Sequence, residues 1–422
     1  MPDRPVRRGV YNTVPSIALN RSFDEGPKVL GGAEGKDPPG GRRVHLTHPA
    51  ALAVAGCLAL AVAIGIGRFV YTPILPYMTT ALGFGKSEAG LIASANFLGY
   101  LLGALAAAWR PAPGDARLWL SVALAVSAAT TGAMGLTANL NAYLALRFAS
   151  GAAAALVMVL ASSLTMDRLA AAGRTVWAAA VYAGVGVGIA ISSLAVPAAA
   201  MGYGDWQGPW LVCGAISLML AVPVGLLLRA RRATTSARPD VEADSGRATG
   251  FGRFALAYGL FGFGYVITAT FISDMVRSDP ALRPAENAVW LCVGLAAAPS
   301  VALWGWAGQR WSHERAFACA CLVEALGVLL SVLGGGIWPV LTAAALLGGT
   351  FMGLTALGLV NARRLSLGDP RRNLALMTAS FGLGQMIGPT LAGLLHDGTG
   401  SYLTPSLLAA ATLAAAAALA AR

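Results

Sequence analysis

Arg68 stands in the middle of "AVAIGIGRFVYTPILPYM" (61–78), with no Asp or Glu within fifteen residues on either side. A guanidinium is a planar fork of donors that matches the oxygen pair of a carboxylate or phosphate, so the chemistry it suggests is anion recognition. Arg147, in "AYLALRFASG", is a second group of this kind. Tyr71 and Thr72 follow Arg68 at the i+3 and i+4 spacings that share one helix face. Tyr265, Thr268 and Thr270 supply hydroxyls in a later apolar run, while Asn96, Tyr100 and Gln385 read as interhelical hydrogen bonds. Carboxylates are scarce beside them: Asp167 and Asp274 stand near the ends of their runs, and Glu324 is the one deep inside a run.

Other chemistries find little support. The His residues are His45, His48, His313 and His396; none lies deep in an apolar run, and no carboxylate pair faces another. Catalysis needs clustered nucleophiles, bases or metal ligands, so no enzyme is expected. Cys57, Cys213, Cys292, Cys319 and Cys321 all lie in apolar runs, without a CxxC pair or a His at ligand spacing. That argues against zinc and against a disulfide framework. Neither a cofactor nor a metal is expected.

The elements that carry these residues follow from composition. Of 422 residues, 56% are hydrophobic and 12% charged, against about 25% charged in a soluble protein. Twelve apolar runs are long enough to cross a bilayer as helices: 51–77, 88–109, 118–138, 141–166, 174–200, 209–229, 253–276, 286–308, 315–335, 337–362, 373–396 and 404–421. Their length and lack of dyad alternation favour helices over a β-barrel, which makes this an all-α membrane protein in contact with the lipid bilayer. The net charge of +11 reads as membrane-topology charge and not as a nucleic-acid footprint.

Loops on the side of the N-terminus hold Arg110, Arg117, Arg168, Arg174, Arg310, Arg315, Arg363, Arg364, Arg371 and Arg372, and the opposite side holds only Lys86, Arg277 and Arg283. By the positive-inside rule both termini are cytoplasmic. The expected organisation is a disordered cytoplasmic tail over 1–49, a six-helix half over 50–229, a cytoplasmic linker over 230–252 and a second six-helix half over 253–422. Arg68 then lies about 13 Å from the outer end of span 1, and Arg147 about 9 Å below the outer surface on span 4.

The two halves carry an internal repeat. "AIGIGRFVYT" (63–72) aligns with "LFGFGYVITA" (260–269) at an offset of 197 residues, matching Gly65 and Gly67 to Gly262 and Gly264, and Arg68 to Tyr265. The same offset sets Gly151 of span 4 against Gly348 of span 10.

This six-plus-six plan resembles the major facilitator superfamily of secondary transporters. Within it, "GIGRFVYTPILPYM", "GGTFMGLTALGLVNARRL" (348–365) and "TASFGLGQMIGPTLAGLL" (378–395) resemble the YbfB/YjiJ-type branch. The resemblance implies the major facilitator fold, a bacterial inner-membrane location, and a central cavity lined by spans 1, 4, 7 and 10. Departures stand beside it. The superfamily's Gly–Asp–Arg–Gly loop pattern is lost in "WRPAPGDARL" (109–118), and the exporters' Gly-Pro pattern is missing from "YAGVGVGIAISS" (182–193).

A charge inside the bilayer costs at least about 2.5–3.5 kcal/mol, and the interiors of spans 1, 4, 7 and 10 hold no Asp or Glu. An anionic substrate is expected to supply the counter-charge, with Arg68, Tyr71, Arg147, Tyr265 and Thr268 as candidate substrate-binding residues. Arg147 has a structural alternative: bonding carbonyls of span 1 across an approach that Gly151 permits. Asp274 could reach Arg68 as a gate. Gly65, Gly67, Pro73, Gly151, Gly262, Gly264 and Pro389 read as packing or hinge positions. The function expected is alternating-access transport of a small, anionic organic solute by a monomer, with a coupling proton or counter-anion. The rival readings are efflux of a neutral or amphipathic compound, and a non-transporting sensor with the same fold.

Overall fold

The computed structural model describes residues 49–109, 113–166, 168–169, 176–203, 205–229, 250–365 and 370–421. The expected tail, except Pro49, and the expected linker up to residue 249 lie outside the described residues. Each expected span has its helix: α1 Pro49–Leu82, α2 Lys86–Trp109, α3 Ala116–Leu136, α4 Leu140–Met166, α5 Val176–Tyr203, α6 Gln207–Arg229, α7 Phe251–Ser278, α8 Glu286–Arg310, α9 His313–Leu333, α10 Ile337–Arg364, α11 Pro370–Thr399 and α12 Leu403–Ala421. Helix ends fall within three residues of the expected ones except at the end of α1, which runs on to Leu82. Eleven of the helices are long and apolar enough to span a membrane. The other, α11, has the length, at 30 residues, but carries Asn373, Gln385, His396 and Asp397 along it. Among the described residues there is no strand. The helices belong to one packed unit, Leu46–Arg422.

Helix α1 is broken. It is α-helical over Pro49–Leu60, π-helical over Ala61–Ile66, turns through 67–70, and resumes at Tyr71. The wide turn shows in Gly67 N and Phe69 N, which reach back five residues to Val62 O (2.8 Å) and Ile64 O (3.2 Å). The cause lies in the sequence: Pro73 has no N–H for Phe69 O, which accepts instead from Thr72 N at 3.2 Å. The described backbone bonds leave the carbonyls of Gly67 and Arg68 without an N–H.

The 197-residue repeat is a repeat of contacts. A Cβ placed on Gly151 would lie 1.9 Å from Asn96 O of α2, and one on Gly348 would lie 2.2 Å from Val293 O of α8. Asn96 and Val293 are themselves 197 apart, so the crossing of α4 on α2 is rebuilt as α10 on α8. Gly151 therefore permits approach to α2, where the sequence suggested α1. Gly151→Ala is expected to force the helices apart and cost about 1–3 kcal/mol, as overpacking does. Gly349→Ala, at a position with nothing within 4 Å, is the control. Thermal unfolding in detergent decides: equal midpoints for the two variants would contradict the close crossing.

The halves meet along two seams, α2 on α11 and α5 on α8. The Tyr71–Leu82 segment of α1 packs on α7, whereas its Pro49–Leu60 segment packs on α4, α5 and α6 of its own half. At the end away from the termini the seam is sealed. Lys86 Nζ of α2 lies 2.8 and 2.7 Å from the two carboxylate oxygens of Asp274 on α7, and the Tyr402 hydroxyl donates to the second of these. Asp397 of α11 accepts from Lys86 N (3.1 Å) and Ser87 N (2.8 Å), capping the N-terminus of α2 from the other half. Deeper along the seam, Gly90 lies against the carbonyl of Pro389, and Thr390 Oγ1 donates to Ser94 Oγ at 2.8 Å.

Candidate functional site

The break in α1 makes the site. Arg68 lies in the turn, 6% exposed, and its Nη2 donates to Gln385 Oε1 of α11 at 3.0 Å. Gln385 Nε2 in turn donates to the Tyr265 hydroxyl of α7. Arg68 and Tyr265, equivalent positions of the two halves, are thus joined through one amide. Thr72 Oγ1 donates to Ala269 O at 2.7 Å across 197 residues, so a residue touches its own counterpart where the halves meet.

The guanidinium of Arg68 is housed by rings. Its Cζ lies 4.3 Å from the Phe97 centroid and 4.5 Å from that of Tyr100, both on α2. Two partly desolvated cation–π contacts supply about 1–4 kcal/mol together, comparable to the roughly 2.5–3.5 kcal/mol cost of an arginine at mid-bilayer. The buried guanidinium is therefore tolerable without a carboxylate, but its donors are not used up. Among the described residues, Nε and Nη1 of Arg68 have no hydrogen-bond partner, and Nε is buried.

Arg147 is differently employed. Its Nη1 donates to Gly67 O and its Nη2 to Arg68 O, each at 2.9 Å, and Ser150 Oγ reaches Gly67 O at 3.2 Å. These are the carbonyls that the break strips of N–H partners. An orphaned carbonyl in a membrane has no water to turn to, and the guanidinium fork takes the place of the missing helix bonds. Asn96 Nδ2 holds the Arg147 carbonyl at 3.0 Å.

The expectation that Arg68, Tyr71 and Thr72 share a face fails, because i+3 and i+4 spacing presumes an unbroken helix. Arg68 turns to α11, Thr72 to α7, and the Tyr71 hydroxyl to Ala89 O of α2 at 2.8 Å. The Tyr71 ring lies 5.2 Å from the Arg147 Cζ. Thr268 is 1% exposed with a partnerless hydroxyl, one turn from Tyr265. Asp274 binds Lys86 and Tyr402 in this structure and not Arg68. Glu324 is fully buried in α9 with no ion-pair partner among the described residues. Gly65 abuts Gly188 of α5, Gly262 abuts Phe381 of α11, and Gly264 abuts Leu413 of α12.

Sequence reasoning missed the aromatic surroundings. Phe351 of α10 and Phe381 of α11 lie nearly parallel to Tyr265, with centroids at 5.9 and 6.0 Å and planes 8° and 3° apart. The i, i+3 pair Phe97 and Tyr100 was the available signal on α2. The gap against Phe69, Trp290 and Phe351 has no room even for a water molecule, so the halves must part for a solute to enter.

The family described as "Uncharacterised MFS-type transporter YbfB" matches residues 60–421. No curated protein matches the chain. Among solved structures, a point mutant of the nucleoside transporter NupG superposes with a TM-score of 0.68 at 15% identity, covering 88% of this chain and 99% of that one. A bacterial homologue of the human lysosomal transporter Spinster, inward-facing and unoccupied, gives 0.62 at 15% identity, covering 88% and 94%. At such identity these likenesses show the fold.

Proposed function

The chain belongs to the YbfB-type family of major facilitator transporters, a multi-pass membrane carrier fold, and from that premise we propose that it moves a small organic anion by alternating access with Arg68 as the anchor. The observation that supports this reading most is the guanidinium of Arg68, buried between the halves with Nε and Nη1 unpartnered. An anion bound at either of them supplies a charged acceptor, and a charge-assisted hydrogen bond is about twice as strong as a neutral one. Arg147 serves the reading indirectly, by holding the turn that presents Arg68. Tyr265 and Thr268 complete the site from the second half, and Tyr71 supports it through Arg147.

Alternating access is rocking of the six-helix halves 50–229 and 253–422 about the contact of α1 with α7. The seal at Lys86 and Asp274 is the outer gate in this scheme, with both termini cytoplasmic and the bacterial inner membrane as the location. Two couplings suit the site: an anion carrying its own proton, or exchange for a counter-anion. The working unit is a monomer.

The test is uptake of radiolabelled small anions into proteoliposomes holding wild type or Arg68→Ala. Saturable anion flux is expected in the wild type, with a loss on the order of a hundredfold in the variant, as befits about 2–3 kcal/mol of charge-assisted bonding. Flux of neutral or cationic compounds that survives Arg68→Ala would falsify the anion reading. Absence of any saturable flux across a broad panel would favour a sensor.

A further inference from the structure

Resting on the anion reading, we propose that the carried solute is a planar aromatic carboxylate. Phe97 and Tyr100 crowd the Arg68 guanidinium, their ring centroids 4.3 and 4.5 Å from Cζ. The N–H bonds of a guanidinium lie in its plane, so an incoming anion binds in that plane, at the donors Gln385 leaves free. In-plane donors suit the flat oxygen pair of a carboxylate.

A wall of rings begins beside the guanidinium, with the Phe69 centroid 5.8 Å from Arg68 Cζ. Phe69, next to Arg68 in the turn, stands edge-on to Phe351 at 5.5 Å and 72°. Phe351 continues into Tyr265 and Phe381, whose planes all but coincide in direction. Phe261 and Tyr258 cover the other sides of Tyr265 and Phe381, but Phe69 belongs to the first half and Phe351 to the second, so parting of the halves uncovers the part of Phe351 that Phe69 now covers. A flat ring entering there extends the stack that runs on through Tyr265 and Phe381. Gln385 ties the two parts together, since it bonds both the Arg68 fork and the Tyr265 hydroxyl. The buried, partnerless Thr268 hydroxyl lies one turn along α7, within reach of a polar ring substituent. A saturated acid would use the fork but leave the ring faces idle.

The experiment is titration of purified full-length protein by calorimetry. The probes are benzoate and naphthoate, their saturated-ring counterparts cyclohexanecarboxylate and decahydronaphthoate, and benzamide. They are run on wild type and on Phe351→Leu, which keeps an apolar side chain and removes a π-face. Each aromatic acid is expected to bind on the order of tenfold tighter than its saturated counterpart, benzamide not at all, and Phe351→Leu to shrink the gap. Equal binding of aromatic and saturated acids by the wild type overturns the aromatic inference and leaves the anion reading standing. Benzamide binding as tightly as benzoate overturns both. Failure of both aromatic acids to bind overturns the aromatic inference, whatever Phe351→Leu does.

Discussion

Replacing Arg147 by Ala is expected to destabilise the carrier more than any other single loss of a polar side chain. The substitution removes both donors from Gly67 O and Arg68 O. Each buried group left without a partner costs about 1–3 kcal/mol; Arg68 O loses its donor outright and Gly67 O keeps only Ser150 Oγ at 3.2 Å, in a region without water. The expected result is a fall of several kcal/mol in stability, read as a lowered unfolding temperature in detergent and a low yield of folded protein. Arg147→Lys separates clamp from charge. An ammonium keeps the charge but has one donor nitrogen in place of the two that each meet a carbonyl, so its midpoint is expected between those of wild type and Ala. A wild-type midpoint for Arg147→Ala would mean that the carbonyls find other donors and that the arginine is no clamp. The measurement needs no ligand, which keeps it independent of the substrate reading.

The second large effect is at the far seal. Lys86→Ala leaves Asp274, 2% exposed, without the ammonium that touches both its oxygens. Removing one partner of a buried pair costs about 3–5 kcal/mol. Because Lys86 and Asp274 belong to different halves, that cost falls on the closed arrangement and not on the fold. The closed-to-open ratio at this face is expected to fall by a factor of several hundred. Ser94→Cys reports it: Ser94 is 5% exposed in the α2–α11 seam. In the Lys86→Ala background the cysteine is expected to become reactive towards a membrane-impermeant maleimide. Adding Asp274→Ala removes the stranded carboxylate and is expected to restore much of the protection. Unchanged labelling in Lys86→Ala would show that the pair does not hold the face shut.

How far these features could be read in the sequence depends on the range of the interaction. Helix positions are legible because apolar run length is local, and the 197-residue offset survives because Gly151 and Gly348 each have to admit a neighbouring carbonyl. The break in α1 was half legible: Gly65, Gly67 and Pro73 announce a bend, but not that a π-helical turn would strip two carbonyls. That omission led to the placement of Arg68, Tyr71 and Thr72 on one face. The rings about Arg68 are tertiary information. Gln385 is 317 residues away in the chain, and nothing local marks it as the bridge between Arg68 and Tyr265.

The absence of a described carboxylate beside Arg68 and Arg147 has an electrical side. An empty carrier holds two elementary charges near its centre. Each would be worth up to about 2.3 kcal/mol per 100 mV on crossing the full membrane field. On the proposed anion reading, a bound monovalent solute halves that charge. The resting potential therefore acts more strongly on the empty carrier than on the loaded one. The return stroke, more than the delivery stroke, is where a voltage can set the pace.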